Sequence, residues 1–141
     1  MRNILVIGAG KSTSYLIKYF IDNADAENLH LTIGDIDVQK AQEISGNNSN
    51  VDVIFLDVFD KESRGKAVKK SDIVVSMLPA RFHIEVAKDC IAYKTHMVTA
   101  SYVSPEMQQL DIAAKENGLI FMNEIGLDPG IDHMSAMQVL N

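Results

Sequence analysis

The sequence is short of several things, and each shortage narrows what it can be. It has one cysteine, Cys90, in 141 residues. No disulfide can close within the chain, which suits a reducing compartment. Cys90 falls in an apolar stretch of helical spacing, where a thiol packs as a small hydrophobe; a reactive thiol is the alternative. Cations are also scarce, with 13 Lys and Arg against 19 Asp and Glu and a net charge of -6. This argues against nucleic acid as a partner, because phosphate backbones are bound by clustered Lys and Arg. The one short cluster, Lys66, Lys69 and Lys70, reads as a solvated helix face. Long apolar runs are missing too. Met1-Arg2-Asn3 leads straight into Ile4 to Ile7, a run too short for a signal-peptide core or a membrane span. Cytoplasm is the expected location, with no membrane partner and no metal site. No internal repeat, low-complexity tract or flexible linker is seen.

What the chain does have is a regular alternation, with a hydrophobic fraction of 47% that suffices for one buried core. Ile4-Leu5-Val6-Ile7 is a short apolar run ending in glycine, as in a central parallel strand. Tyr15, Leu16, Tyr19 and Phe20 recur at helical spacing between Lys11 and Asn23. The pattern continues with a strand at Leu29 to Ile33, a helix at Val38 to Ile44 and a strand at Val51 to Leu56. A polar helix at Lys61 to Val68 precedes a strand at Ile73 to Met77. Pro79 opens a loop before a helix carrying Ile84, Val86, Ala87 and Ile91. A fifth strand spans His96 to Thr99. Ser104-Pro105-Glu106 starts a helix with a cap and a proline at its first position; it should run to Asn117, where Gly118 stops it. Leu119 to Met122 is the sixth strand. Six strands alternating with helices predict a three-layer α/β/α Rossmann-type fold with a doubly wound parallel sheet.

Gly8-Ala9-Gly10-Lys11-Ser12-Thr13 lies between the first strand and the first helix. There the first glycine permits a tight turn, and the second lets backbone approach a pyrophosphate at the helix N-terminus. Thr13 stands where a third glycine is usual, so strand and helix are expected to pack slightly wider. Asp35, about 25 residues after Gly10, can accept both ribose hydroxyls of a dinucleotide. Ile36 follows it where an Arg would hold a 2′-phosphate, so NAD is favoured over NADP. Asp37 suits the cap of the next helix, which leaves Asp35 free for ribose. Asp57 and Val58 fall where adenine rests, and Leu78 and Pro79 on the path to the nicotinamide, because ligands sit at the carboxyl ends of the strands.

The loops after strands five and six hold hydroxyls, carboxylates and an imidazole: Ser101 and Tyr102, then Asn123 to His133. Asp128 could cap the last helix or present an oxygen to a ligand ammonium; spacing alone leaves both open. Asp128-Pro129-Gly130 opens that helix, with Ile131, Met134 and Leu140 on an apolar stripe. The chain stops at Asn141 inside this pattern. Residues 1–126 are therefore expected to form the dinucleotide domain, and 127–141 to begin the connection to a second domain.

Val98-Thr99-Ala100-Ser101-Tyr102-Val103, then Asn123 to His133 with its Gly-Leu-Asp-Pro-Gly-Ile-Asp-His string, resembles saccharopine dehydrogenases of the L-glutamate-forming type. Ser76-Met77-Leu78-Pro79-Ala80 with His83 matches the same family, and the resemblance covers nearly the whole chain. It implies NAD(P)-dependent oxidation of the secondary amine of saccharopine, with hydrolysis to L-glutamate and 2-aminoadipate 6-semialdehyde in lysine metabolism. It also implies substrate contacts at Ser101, Tyr102 and Asp128. The catalytic acid/base stays unassigned, with His133 as a weak candidate; His30 and His96 look structural. The expected partners are an amino-acid substrate, a further domain of the same chain and, as an option, a second copy in a homodimer. On its own the stretch is expected to turn over little saccharopine. The rival readings are a carboxynorspermidine dehydrogenase-like enzyme and a nucleotide-sensing regulatory module.

Overall fold

The computed structural model describes residues 1–140; Asn141, where the sequence stops inside a helical pattern, lies outside them. Six strands form one parallel sheet: β1 (Arg2–Ile7), β2 (Leu29–Asp35), β3 (Val51–Phe55), β4 (Ile73–Ser76), β5 (His96–Thr99) and β6 (Phe121–Met122). Their order is β3-β2-β1-β4-β5-β6, the doubly wound arrangement with its switch point between β1 and β4. The helices are α1 (Ser14–Glu27), α2 (Val38–Ser45), α3 (Lys61–Lys69), α4 (His83–Tyr93), α5 (Pro105–Gln108), α6 (Asp111–Glu116) and α7 (Ile131–Leu140).

Alternation along β1 explains the three layers. Ile4 and Val6 join a core with Ile17 and Ala24 of α1 and Ala41 of α2. Leu5 and Ile7 point to the other face, against Val68 of α3 and Val86, Ala87 and Cys90 of α4. A strand buried on both faces reads as continuous apolar sequence, as this one does. Cys90 is fully buried, and burial pushes its thiol up to about 12, which removes the reactive-thiol alternative. Lys66, Lys69 and Lys70 are exposed, and Lys66 pairs with Glu62 across one helical turn.

Several expected boundaries shift. The glycine loop enters the first helix through a 3₁₀ turn at Lys11–Thr13, and α1 itself runs to Glu27. The helix expected from Pro105 to Asn117 is two helices, because at Leu110 the N–H turns back to the Met107 carbonyl (3.1 Å) and tightens the chain. The sixth strand keeps only Phe121 and Met122. The Leu119 N–H is taken by the Ala114 carbonyl and the Ile120 N–H by His96 Nδ1, not by a ladder. The stripe on α7 finds no core: Ile131, Met134 and Leu140 are all exposed. Beside the sheet, over β4 and β5, lies an apolar groove of about 480 Å³ lined by Phe20 of α1, Val75, Val98 and Ile125 among others.

Candidate functional site

The carboxyl ends of β1 to β4 open into a cleft of about 370 Å³. Gly8, Gly10, Asp35, Ile36, Asp57, Val58, Leu78 and Pro79 line it together, with Phe59 and Phe82. Gly8 has φ +100°, and a Cβ there would sit 3.0 Å from the Met77 carbonyl oxygen, so this turn accepts only glycine. A Cβ on Gly10 would meet nothing within 4 Å. The backbone there faces open space, at a helix start whose first N–H groups lack intrahelical acceptors. This is a cradle of the shape and polarity that a pyrophosphate needs. Lys11 and Ser12 are exposed on the 3₁₀ turn that follows. Thr13 turns inward, 1% exposed, and its hydroxyl has no partner. It fills the space beside the sheet and does not face the cleft.

Asp37 caps α2, accepting the Lys40 N–H at 3.0 Å. Asp35, however, is not left free. One of its oxygens accepts the Ala9 N–H inside the glycine loop, and the other accepts the Asp37 N–H at 2.8 Å. The carboxylate thus ties the end of β2 to the phosphate turn before any ligand arrives. An ionised carboxylate accepts about four hydrogen bonds, so acceptor sites remain for ribose. Phe59 and Phe82 meet edge to face with centroids 5.1 Å apart, and Arg81 lies over Phe82 at 4.7 Å. These rings offer an apolar surface suited to a base.

Beyond β4 and β5 the construction changes to side chains. His83, the first residue of α4, is 4% exposed. Its Nδ1 lies 2.8 Å from Ser76 Oγ, and its Nε2 lies 2.7 Å from Ser101 Oγ and 3.1 Å from Thr99 Oγ1. Burial holds the imidazole below its ordinary pKa, so it is neutral at pH 7 and offers one N–H and one lone pair to these hydroxyls. Further out, the Tyr102 hydroxyl donates to Asp128 Oδ1 at 2.6 Å. That bond, with burial and the nearby charges of Asp128, Asp132 and Glu124, pushes the phenol up to about 12. Asp128 therefore serves Tyr102, while at the α7 start the Asp132 carboxylate accepts the Gly130 N–H at 3.0 Å and the Asp132 N–H reaches the Leu127 carbonyl at 3.0 Å. His133 lies edge-on to Tyr102 at 6.4 Å, with Nδ1 2.9 Å from Asp132 Oδ1. The two loops are joined by Glu124, whose carboxylate accepts the Val103 N–H and whose own N–H reaches the Ser101 carbonyl.

A family model described as the saccharopine dehydrogenase NADP binding domain matches residues 4–122. The chain belongs to that family. It is 38% identical to an alpha-aminoadipic semialdehyde synthase of Arabidopsis thaliana, over 98% of this chain and 15% of that protein. It is also 38% identical to a saccharopine dehydrogenase [NADP(+), L-glutamate-forming] of Pyricularia oryzae, over 99% of this chain and 30% of that one. The apo saccharopine dehydrogenase (L-Glu forming) structure from Saccharomyces cerevisiae superposes with a TM-score of 0.89 at 34% identity, covering 99% of this chain and 30% of that one. The chain thus spans about a third or less of the length of these relatives.

In this saccharopine dehydrogenase-family domain the residues expected from the sequence mostly fall into two groups. One lines the cleft, and another, Ser101, Tyr102, Asp128 and His133, gathers at the loops after β5 and β6, while Lys11, Ser12 and Thr13 of the expected cofactor set are not among the residues that line the cleft. Sequence reasoning did not assign roles to Phe59, Phe82 or Glu124, and took His83 only as part of a resemblance. An aromatic residue two positions after Asp57 and another just after Pro79 were the available signal for the two rings. His30 and His96 are structural: His30 pairs with Asp52 at 2.8 Å, and His96 accepts the Ile120 N–H.

Proposed function

We propose that this domain binds a nicotinamide dinucleotide along the cleft, with the pyrophosphate over Gly8 and Gly10. In an enzyme of the length of its relatives, it serves the oxidation of saccharopine to L-glutamate and 2-aminoadipate 6-semialdehyde. The observation that carries this reading is the position of the hydroxyl and carboxylate cluster at Ser101, Tyr102 and Asp128, on the loops after β5 and β6 and so on the same sheet edge as the glycine cradle after β1. The cofactor, when bound, supplies the hydride acceptor. The chain's own residues bind and orient. Asp35 offers its remaining lone pairs to ribose, Val58 and its aromatic neighbours hold the base, and Leu78 and Pro79 border the way to the nicotinamide. Ser101, held by His83, presents a hydroxyl to the substrate. Asp128 offers a carboxylate to a substrate ammonium, and Tyr102, protonated at neutral pH, orients it. His133 beside Tyr102 is the candidate proton acceptor.

NAD is the proposed preference, although the family description names NADP. What supports it is the carboxylate of Asp35 at the ribose end, the apolar Ile36 after it, and the lack of any Lys or Arg among the described residues lining the cleft. A 2′-phosphate beside Asp35 would face a carboxylate and no cleft-lining cation, Arg81 being engaged over Phe82. Calorimetric titration of the domain with NADH and with NADPH tests this. Tighter binding of NADH is expected, and clear preference for NADPH overturns it.

A further inference from the structure

The β3–α3 loop, residues 57–60, forms one wall of the cleft, and its position depends on a charge buried behind it. Arg64 of α3 is 3% exposed and Asp89 of α4 is 6% exposed. Arg64 Nε donates to Asp89 Oδ2 at 2.5 Å, and Nη2 lies 3.8 Å from Glu85 Oε2. A further donor, Nη1, reaches out of the pair to the Val58 backbone carbonyl. An ion pair in a core adds little net stability over apolar residues of the same volume. What apolar residues could not supply is the bond to Val58, because only a donor can hold that carbonyl. The loop's other restraints are packing and short-range bonds: Val58 rests on the core and Phe59 on Phe82, Asp60 caps α3 by accepting the Glu62 and Ser63 N–H groups, Asp57 accepts the Phe59 N–H at 2.9 Å, and the Asp57 carbonyl accepts the Asp60 N–H at 3.0 Å. Arg64 adds to these a hydrogen bond from a side chain anchored on α4, which places the middle of the loop relative to that helix.

We propose that Arg64, anchored by Asp89, is a positioning residue that fixes the adenine-side wall of the cleft through the Val58 carbonyl. The inference rests on the dinucleotide reading above and deepens it. Asp89 sits on α4, two turns beyond His83 and packed against α3, so the anchor is a helix that both ends of the site share. With the carbonyl held, Val58 and Phe59 stand ready against the adenosine half. With it released, each binding event must order the loop and loses affinity accordingly.

The test uses Arg64→Met with Asp89→Leu, a double substitution that replaces the ion pair with apolar side chains, since Arg64→Ala alone would strand a buried carboxylate. Amide exchange of the unliganded protein reads the loop directly. Affinity is read with NADH and with ADP-ribose, which lacks the nicotinamide. Exchange at Phe59 and Asp60 is expected to rise about tenfold with β1 unchanged, and affinity to fall about tenfold, equally for the two ligands. Unchanged loop exchange and unchanged ADP-ribose binding overturn the proposal. So does a much larger loss for NADH than for ADP-ribose, which would place the damage outside the adenosine side. Failure of the unaltered chain to bind either ligand overturns the dinucleotide reading itself. That result is distinct from a variant that binds as well as the unaltered chain.

Discussion

The two ends of the sheet's carboxyl edge are built in different materials. At the β1–β3 end the features that shape the phosphate turn centre on backbone: a glycine at φ +100°, a second glycine facing open space, and the Ala9 and Asp37 N–H groups held by the Asp35 carboxylate. At the β4–β6 end they are side chains hydrogen-bonded to one another: Ser76 to His83 to Ser101, and Tyr102 to Asp128. Pyrophosphate is the same in every dinucleotide, and backbone recognises it without regard to the rest of the ligand. An individual substrate is distinguished by a few placed donors and acceptors, and at this end side chains supply them. The difference therefore divides a generic half from a specific one, and substitutions should separate them.

The largest effect is expected at the backbone end. In Gly8→Ala the added methyl meets the Met77 carbonyl oxygen at 3.0 Å on a backbone that disfavours any Cβ. NADH affinity should fall about a hundredfold, roughly 3 kcal/mol of strain and lost phosphate contact. Fluorescence titration measures it. An affinity within a few fold of the unaltered protein would mean that this turn is not the phosphate site.

Next comes the side-chain end. His83→Leu leaves three hydroxyls, on Ser76, Thr99 and Ser101, without their shared partner. A cost of about 1–3 kcal/mol in urea unfolding is expected. His83→Gln, whose amide can reach one of the hydroxyls, should recover part of it. Equal stability for Leu and Gln would show that the imidazole only fills volume.

The same division explains what could be read in the sequence. The doubly wound parallel sheet, its layers and the glycine turn follow from periodicity and from residue types with one dominant use, so the strand at Ile4 to Ile7 and the turn at Gly8 to Gly10 were legible. Asp35 was legible as a position but not as a contact. Nothing in its spacing says that the Ala9 and Asp37 N–H groups already occupy it. The break at Leu110 and the shortened β6 escaped for a related reason. They depend on where single N–H groups go, to Met107 and Ala114 close by in the chain and to His96 on the neighbouring strand, which apolar periodicity does not encode. Whether Asp128 caps a helix or presents an oxygen to a ligand ammonium is open from spacing alone, and its bond to Tyr102 is hidden there because the two lie 26 residues apart in sequence.

Asp128→Asn sharpens that last point. The Tyr102 phenol is held up at about 12 chiefly by donating to this carboxylate. A raised phenol pKa means that the protonated form is favoured in the folded state. The associated stability is present at neutral pH and is lost only as pH rises past the ordinary value of about 10 and through the raised one. Asparagine keeps an acceptor but removes the charge, so the midpoint should fall towards the ordinary range. The tyrosinate absorbance reads it, with Tyr102→Phe identifying the step that belongs to this residue. A midpoint that does not move would mean that Asp128 and Tyr102 do not share a proton contact in solution.

The smallest effect concerns acid stability, and it separates the buried cluster from the exposed one. His83 has a depressed pKa because burial disfavours its charged form. The unfolded chain therefore binds a proton at this residue before the folded one does. Its contribution is complete above the unfolded value of about 6.5 and is lost as pH falls from there through the depressed folded value. Urea midpoints at about pH 7.5 and about pH 5.5 should differ more for the unaltered protein than for His83→Gln, which has nothing to protonate in that window. The Tyr102–Asp128 contact titrates at the opposite end of the scale and should leave this difference untouched, so Tyr102→Phe is the control. If His83→Gln lost as much stability in acid as the unaltered protein, the imidazole would not be buried and neutral between Ser76 and Ser101, and the specific half of the site would lose its inner support.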